Sequence, residues 1–434
     1  MKKKRFEIFL LTFKVNGIKN IEEEITLDFY KSSFSAFKRD GYKVKAVYGE
    51  NGVGKSAIVT GIKIFRDLMI SKNYIVDRTN IEMLEHLINK KTNTAFFESE
   101  YYVSLNNDSR IYKFGLELKY SNNSFSITRE YCYYKTIKGK YKVLYEVVNG
   151  ELSNNTNNSF DKYVKDVSKN LLKDSSFLSV VFTNDFDEKY SEELKKYEMA
   201  VLCHVYTYAY LDEKDTHNNY VITRIVNNLN ELNNTINNSV FVTGLEYIKC
   251  GKEIIIDKSV INNFEKEIDN VTKFIQIFKP ELKRIEVDKK ENKESYVCEL
   301  IFVYNDYRIN SEFESTGIKK LVELYTAFKK IDDGYVVFID ELDANIHDYY
   351  LCKLLEFVAE YSDGQLCFTT HNLGPMKVLK RYKKSIDFLS RGFEITPWIK
   401  NGNYDVSSLY SKGLIDKSPF NLESFDFLEV FGEK

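Results

Sequence analysis

Val44-Lys45-Ala46-Val47-Tyr48 runs straight into Gly49-Glu50-Asn51-Gly52-Val53-Gly54-Lys55-Ser56, and this stretch decides the fold. Its second half satisfies the pattern G-x-x-x-x-G-K-[ST], and its first half is a short, mostly apolar strand. Behind it Ala57, Ile58, Ile62, Phe65, Leu68 and Met69 recur at helical spacing. Strand, glycine loop and helix form the setting in which such a loop cradles phosphate. The glycines let backbone N–H groups converge on phosphate oxygens, and the helix N-terminus adds its positive dipole end. Lys55 reaches the β and γ phosphates and the Ser56 hydroxyl ligates Mg²⁺, while Gly49, Asn51, Gly52, Gly54 and Ala57 complete the nucleotide-facing set. The stretch therefore predicts that ATP and Mg²⁺ bind here.

Farther along, Tyr335-Val336-Val337-Phe338-Ile339-Asp340-Glu341 reads as a buried parallel strand ending in paired carboxylates. At that end of an α/β sheet ligands collect, so Asp340 is assigned to Mg²⁺ and Glu341 to the attacking water as its base. Lys55 and Asp340 stand 285 positions apart, which argues against ring-forming AAA+ and RecA-like ATPases and for an ABC-type head. Such a head needs a serine-containing, glycine-ended loop shortly before the hydrolytic strand. Phe313-Glu314-Ser315-Thr316-Gly317 supplies it, with Ile318, Leu321, Leu324 and Phe328 on one face of the following helix. Because Gly49 to Ser56 already serves the subunit's own nucleotide, Ser315 and Gly317 are expected to face the γ-phosphate of a second subunit. Leu342-Asp343-Ala344-Asn345-Ile346-His347 follows, placing Asp343 at the seam between two heads and His347 at a helix start or interface. Gln365-Leu366-Cys367-Phe368-Thr369-Thr370 reads as the next core strand, and His371 at its tip is assigned the role of γ-phosphate switch. His86, His204 and His217 receive no role.

In this order the motifs resemble the ABC-type ATPase heads of the SMC, RecF and OLD families. YGENGVGKS, FESEYY with ITRE after it, FESTGIKKL, VVFIDELDANIH and GQLCFTTHN are similar above all to stand-alone ATP-binding proteins of the OLD-like branch, found in bacterial abortive-infection and anti-phage loci. The resemblance implies a slow, regulatory ATPase that associates with itself as a homodimer or higher oligomer. A separately encoded effector such as a nuclease or toxin, and a phage protein or DNA as trigger, follow from the same resemblance. A RecF- or SMC-like DNA clamp is the alternative, and a transporter ATPase a third, disfavoured reading. ABC transporters touch Mg²⁺ with a Gln between the phosphate loop and the signature; Gln276 and Gln365 do not fit that place, and Glu130 of ITRE is its positional substitute. A fused TOPRIM nuclease is not expected in the residues after His371, where Asp387, Asp405, Asp416 and Asp426 are scattered without a D-x-D pair.

The expected fold class is α/β: a mixed or parallel core sheet, an antiparallel β lobe and a largely helical insertion. Phe6, Ile8, Leu10 and then Ile25, Leu27, Phe29 alternate at period two, and the text from Phe97 to Tyr145 is hairpin-like. The polar run LSNNTNNS opens the insertion, so the chain divides as 1–150, 151–285 and 286–434, with a hairpin around KKENKES. Within the insertion FVTGLEYIKC and EIIID read as strands, and Asp185-Phe186-Asp187 as a solvated acidic turn.

Composition bounds the rest. Across 434 residues Lys+Arg 62 nearly balances Asp+Glu 64, which excludes a surface that is basic throughout and built to sheathe nucleic acid. The basic run Lys380-Arg381-Tyr382-Lys383-Lys384 is accordingly read as a solvated face. With only 4 prolines the chain has no Pro-rich linker, so extra units should be insertions within one body. The 6 cysteines lie far apart and are read as reduced thiols, and no apolar run reaches the roughly 18 residues of a membrane span, so the expected location is cytoplasmic.

Overall fold

The computed structural model describes residues 6–30, 37–105, 108–153, 162, 164–166, 171–183, 191–211, 248, 250–251, 253–399, 405–415 and 432. The turn at Asp185–Asp187, the strand read at FVTGLEY and the positions Asp416 and Asp426 lie outside them. In chain order the elements are β1 (Phe6–Asn16), β2 (Ile25–Asp28), β3 (Val44–Gly49), α1 (Lys55–Ile70), α2 (Arg78–Leu87), β4 (Thr94–Leu105), β5 (Asp108–Ser121), β6 (Ser124–Thr136), β7 (Lys142–Val148) and β8 (Glu151–Leu152). Then come α3 (Phe177–Thr183), α4 (Ser191–Val205), β9 (Thr207–Tyr210), β10 (Ile254–Asp257), α5 (Ile261–Phe278), β11 (Arg284–Asn292), β12 (Ser295–Val303) and β13 (Arg308–Asn310). The last third holds α6 (Thr316–Asp332), β14 (Val336–Ile339), α7 (Asp348–Glu360), β15 (Gln365–Thr369), α8 (Gly374–Leu379), β16 (Ile386–Leu389), β17 (Ile395–Pro397) and α9 (Val406–Ser411).

Three sheets organise these pieces. The core sheet has the order β17-β16-β3-β15-β14-β9, parallel except for the edge strand β17. Its central strands are buried along their whole length, as continuous apolar runs covered on both faces must be. The antiparallel lobe runs β2-β1-β4-β5-β6-β7-β8, and its alternation of buried and open positions is the period-two pattern visible in the text. A small sheet of β10, β12 and β11, with β13 paired to β12, carries the expected hairpin around KKENKES.

Helix α1 is nearly all buried, with apolar residues round most of its circumference, because it lies between lobe and core sheet. At Gly61 a β-carbon would come within 2.8 Å of Val15 Cγ2, so only glycine lets α1 close onto β1. Phe65 stacks on Phe97 of the lobe at 5.5 Å, and Phe13 and Phe29 of the lobe meet Phe338 of the core sheet edge-on. Gln365 fastens the same seam: its side chain accepts from Leu10 N at 2.9 Å and donates to Leu10 O at 3.1 Å, where β1 slips register against β4.

The division at 150 and 285 needs correction. Strand β9 lies within the expected insertion, yet it forms the edge of the core sheet beside β14, and α3 and α4 pack on α1. Thr207–Tyr210 is too short for its period to show, and its partner strand lies more than a hundred residues downstream. Strand β10, by contrast, falls on the EIIID expected as a strand.

Candidate functional site

The phosphate loop leaves β3 at Gly49 and turns through Gly52 (φ 79°) and Gly54 (φ 110°), both in the left-handed region that glycine adopts without strain. Gly54 caps α1, and Ala57 N returns to its carbonyl at 3.1 Å. Asn20 pins the loop from the lobe side by donating to Gly52 O at 2.5 Å. Lys55 is buried and curls back to donate to Gly49 O at 2.9 Å and Glu50 O at 2.7 Å. Burial pulls its ammonium down to about 8, against the opposing pull of Asp340, Glu341, Asp343 and Glu50.

The turn after β14 is built by one side chain that the sequence did not single out. Thr369, buried at the tip of β15, donates through Oγ1 to Asp340 Oδ1 and accepts from Glu341 N at 2.8 Å. Its carbonyl also accepts from Leu342 N at 3.2 Å. Glu341 needs this support, because its backbone sits at φ 46°, a left-handed conformation costly for a non-glycine residue. Asp340 N in turn donates to Tyr210 O at 3.0 Å, so β9 ends directly beside the first carboxylate. A short aromatic run, Tyr206 to Tyr210, was the only available signal for that edge.

Asp343 and His371 join the cluster. Asp343 Oδ1 is buried and finds no hydrogen-bond partner among the described residues. Asp343 and burial together raise the Tyr48 phenol, burial being the larger cause. His371 is exposed at the strand tip, its imidazole held below its ordinary value by partial burial and by Lys55, with Asp343, Glu341 and Asp340 pulling the other way. Lys55, Asp340, Glu341, Asp343 and His371 thus share one electrostatic environment at the C-terminal edge of the parallel strands. His347 caps α7 by accepting from Tyr349 N at 3.2 Å, the helix-start role expected of it.

Ser315 caps α6 by accepting from Ile318 N at 3.4 Å, and it and Thr316 are exposed. A β-carbon at Gly317 would lie 2.9 Å from Asn345 O, so the glycine is fixed by close backbone approach of the Asp343 turn. Among the described residues no hydrogen bond or ion pair joins Ser315–Gly317 to the phosphate loop of the same chain.

Glu130 departs from its assignment. It is fully buried in the lobe, with one oxygen accepting from Tyr145 OH at 2.8 Å and the other from Phe177 N at 2.8 Å at the start of α3. Burial pushes its carboxyl up to about 7, and with both oxygens held by donors inside the lobe neither is turned toward the phosphate loop. The core-sheet edge beside Asp340 belongs to β9 instead.

The residues fit Mg·ATP: glycines at positive φ, a buried lysine, a strand-end carboxylate and an unpartnered buried oxygen at Asp343. Core sheet, lobe, loop and carboxylates have the arrangement expected of an ABC-type P-loop head. No family model matches the chain. No curated protein matches it either. Among solved structures the chain is similar to the recombination mediator protein RecF with ATP, at 13% identity and TM-score 0.39 over 91% of this chain and 100% of that one. The Smc head domain with a coiled coil and joint from Pyrococcus yayanosii is similar at 13% identity and TM-score 0.41, over 94% and 100%. Among the described residues no helix is long and apolar enough to cross a membrane.

Proposed function

We propose that this chain is an ATP-binding and hydrolysing ABC-type head whose nucleotide state controls its association with a second copy. The observation that carries the reading is the convergence of Lys55, Asp340, Glu341, Asp343 and His371 at one strand edge, together with an exposed Ser315 cap not bonded to its own phosphate loop. Bound Mg·ATP would supply the phosphoryl group to be transferred to water. The loop N–H groups and Lys55 hold the phosphates, and Ser56 and Asp340 hold the cation. Thr369 keeps Asp340 and Glu341 in register so that the Glu341 carboxylate takes the water's proton. His371 orients the same water from the neighbouring strand, and Ser315 and Gly317 of the second copy close the site.

The pathway we propose is bacterial antiviral defence: the head acts as sensor or scaffold, and slow hydrolysis changes its hold on a separately encoded effector. Two things support this: the likeness of YGENGVGKS, FESTGIKKL and VVFIDELDANIH to defence ATPases, and a charge balance of Lys+Arg 62 against Asp+Glu 64 that does not favour broad contact with DNA. The basic run is compensated in part, since Lys380 pairs with Asp405 at 3.3 Å and Lys384 with Asp28 at 3.3 Å, while Arg381 and Lys383 are exposed. Glu341→Gln tests the mechanism: turnover should fall by roughly 10²–10⁴-fold while an ATP-bound oligomer accumulates in sizing experiments. Unchanged turnover and oligomer would remove Glu341 from the role. Salt-dependent DNA affinity that requires ATP would replace the defence reading with a clamp.

A further inference from the structure

The signature loop is anchored from a module that has no part in the core sheet. Glu314, one residue before the helix cap, is buried and divides its carboxylate between two donors. Oε1 accepts from Tyr304 OH, and Oε2 accepts from Ser315 N at 2.8 Å. Lys279, at the end of α5, lies 3.9 Å from Oε2 and sits over the Tyr304 ring at 4.5 Å. Tyr304 follows β12 and stacks on Tyr307 at 4.7 Å, and the chain then passes through β13 into the turn Ser311–Phe313. That turn is tied down separately, with Gly251 N donating to Ser311 Oγ at 3.0 Å.

A buried carboxylate facing a lysine and two hydrogen-bond donors is a strong and directional anchor. Here it fixes the backbone of the very residue whose hydroxyl caps α6, and hence the direction of the first-turn N–H groups of Thr316 and Gly317. These groups lie outside the helix's own hydrogen-bond ladder and are what an incoming phosphate would meet.

We propose that Glu314 is the positioning residue of the signature loop, and that the module of α5 and β10–β13 acts on the ATPase site through the chain Lys279–Tyr304–Glu314–Ser315. The proposal rests on the ATPase reading above for its catalytic consequence, but the anchoring itself does not. A ligand or partner that shifts the hairpin or the end of α5 would move Ser315 without touching the subunit's own nucleotide loop. The class of effect is control of the closing of one head on another.

Amide hydrogen exchange and turnover on the full chain decide the matter, using Glu314→Ala, Glu314→Gln and Tyr304→Phe. Exchange at Ser315–Ile318 should rise at least roughly tenfold in Glu314→Ala, and less in Glu314→Gln, which keeps one carbonyl acceptor. Binding of a fluorescent ATP analogue should stay within about twofold, while turnover falls at least roughly tenfold and needs more protein to reach half its maximum. Adding Tyr304→Phe to Glu314→Ala should change little further, since one anchor is already gone. Unchanged exchange in Glu314→Ala overturns the proposal whatever the turnover, and so does a loss of nucleotide binding as large as the loss of turnover. A wild-type chain without turnover would sink the ATPase reading, while the exchange arm still decides the anchor.

Discussion

Replacing Thr369 by valine changes almost no volume, yet it should be among the most damaging single substitutions in the core sheet. The hydroxyl serves a carboxylate, Asp340, and a backbone donor, Glu341 N, and valine offers neither an O–H nor a lone pair. Losing the charge-assisted bond and leaving the N–H of a left-handed residue unpaired costs about 2–5 kcal/mol together, after partial relaxation. Thr369→Ser keeps both bonds and loses one buried methyl, worth about 1 kcal/mol. Hydrophobic bookkeeping alone predicts the opposite ranking, because serine is the smaller and more polar replacement. Urea unfolding followed by circular dichroism should place Thr369→Val well below Thr369→Ser, and only the serine variant should retain wild-type Mg²⁺ dependence of turnover. A valine variant at least as stable as the serine one would refute the role given to Thr369 in holding the 340–342 turn.

Two further outcomes follow from groups buried away from the site. Glu130 is raised to about 7 from 4.5, so its protonated form is favoured in the fold; its contribution is complete below pH 4.5 and is lost as pH rises to 7, by roughly 3 kcal/mol. Glu130→Gln should flatten that part of the stability profile, as read by urea midpoints between these two pH values. Lys45 and Asp387 form a buried pair at 2.5 Å between β3 and β16, so Asp387→Ala alone should cost about 3–5 kcal/mol. Lys45→Met with Asp387→Leu should recover most of that loss in thermal melts, because no charge is then stranded.

What could be read from the sequence was whatever backbone geometry or a strand terminus imposes locally. Gly52 and Gly54 are glycines because the loop visits positive φ, and Gly317 is one because Asn345 O leaves no room for a side chain. Asp340 and Glu341 follow four buried apolar residues, which marks a strand end wherever its neighbours lie. Thr369, by contrast, looks like any strand residue until the turn after β14 is folded against it. Glu130 illustrates the opposite failure: position in the chain suggested a metal ligand, but Tyr145 OH and Phe177 N, remote in sequence, claim both of its oxygens. Gln365 begins the core strand as its sequence suggests, but nothing local foretells that its side chain mends the register slip of β1. His204 sits among Phe65, Tyr101 and Phe114, and burial takes its imidazole down to about 3; no local pattern announces such a packing histidine.

The strand order of the core sheet bears on how the protein is made. Strand β3, which carries the phosphate loop, has β15 on one side and β16 on the other, and both come from the last third of the chain. During synthesis the lobe can pair its own hairpins early, since their partners are adjacent in sequence. The phosphate loop must wait until Leu389 has been added opposite Gly49, which is roughly half a minute at about 5–20 residues per second. Until β15 has been made Val44 to Tyr48 is an apolar strand with both edges open, and until β16 follows one edge stays open, so the segment invites chaperones. A ribosome-bound chain halted before β16 therefore holds every residue of the loop and still lacks one of the two strands that flank and aim it.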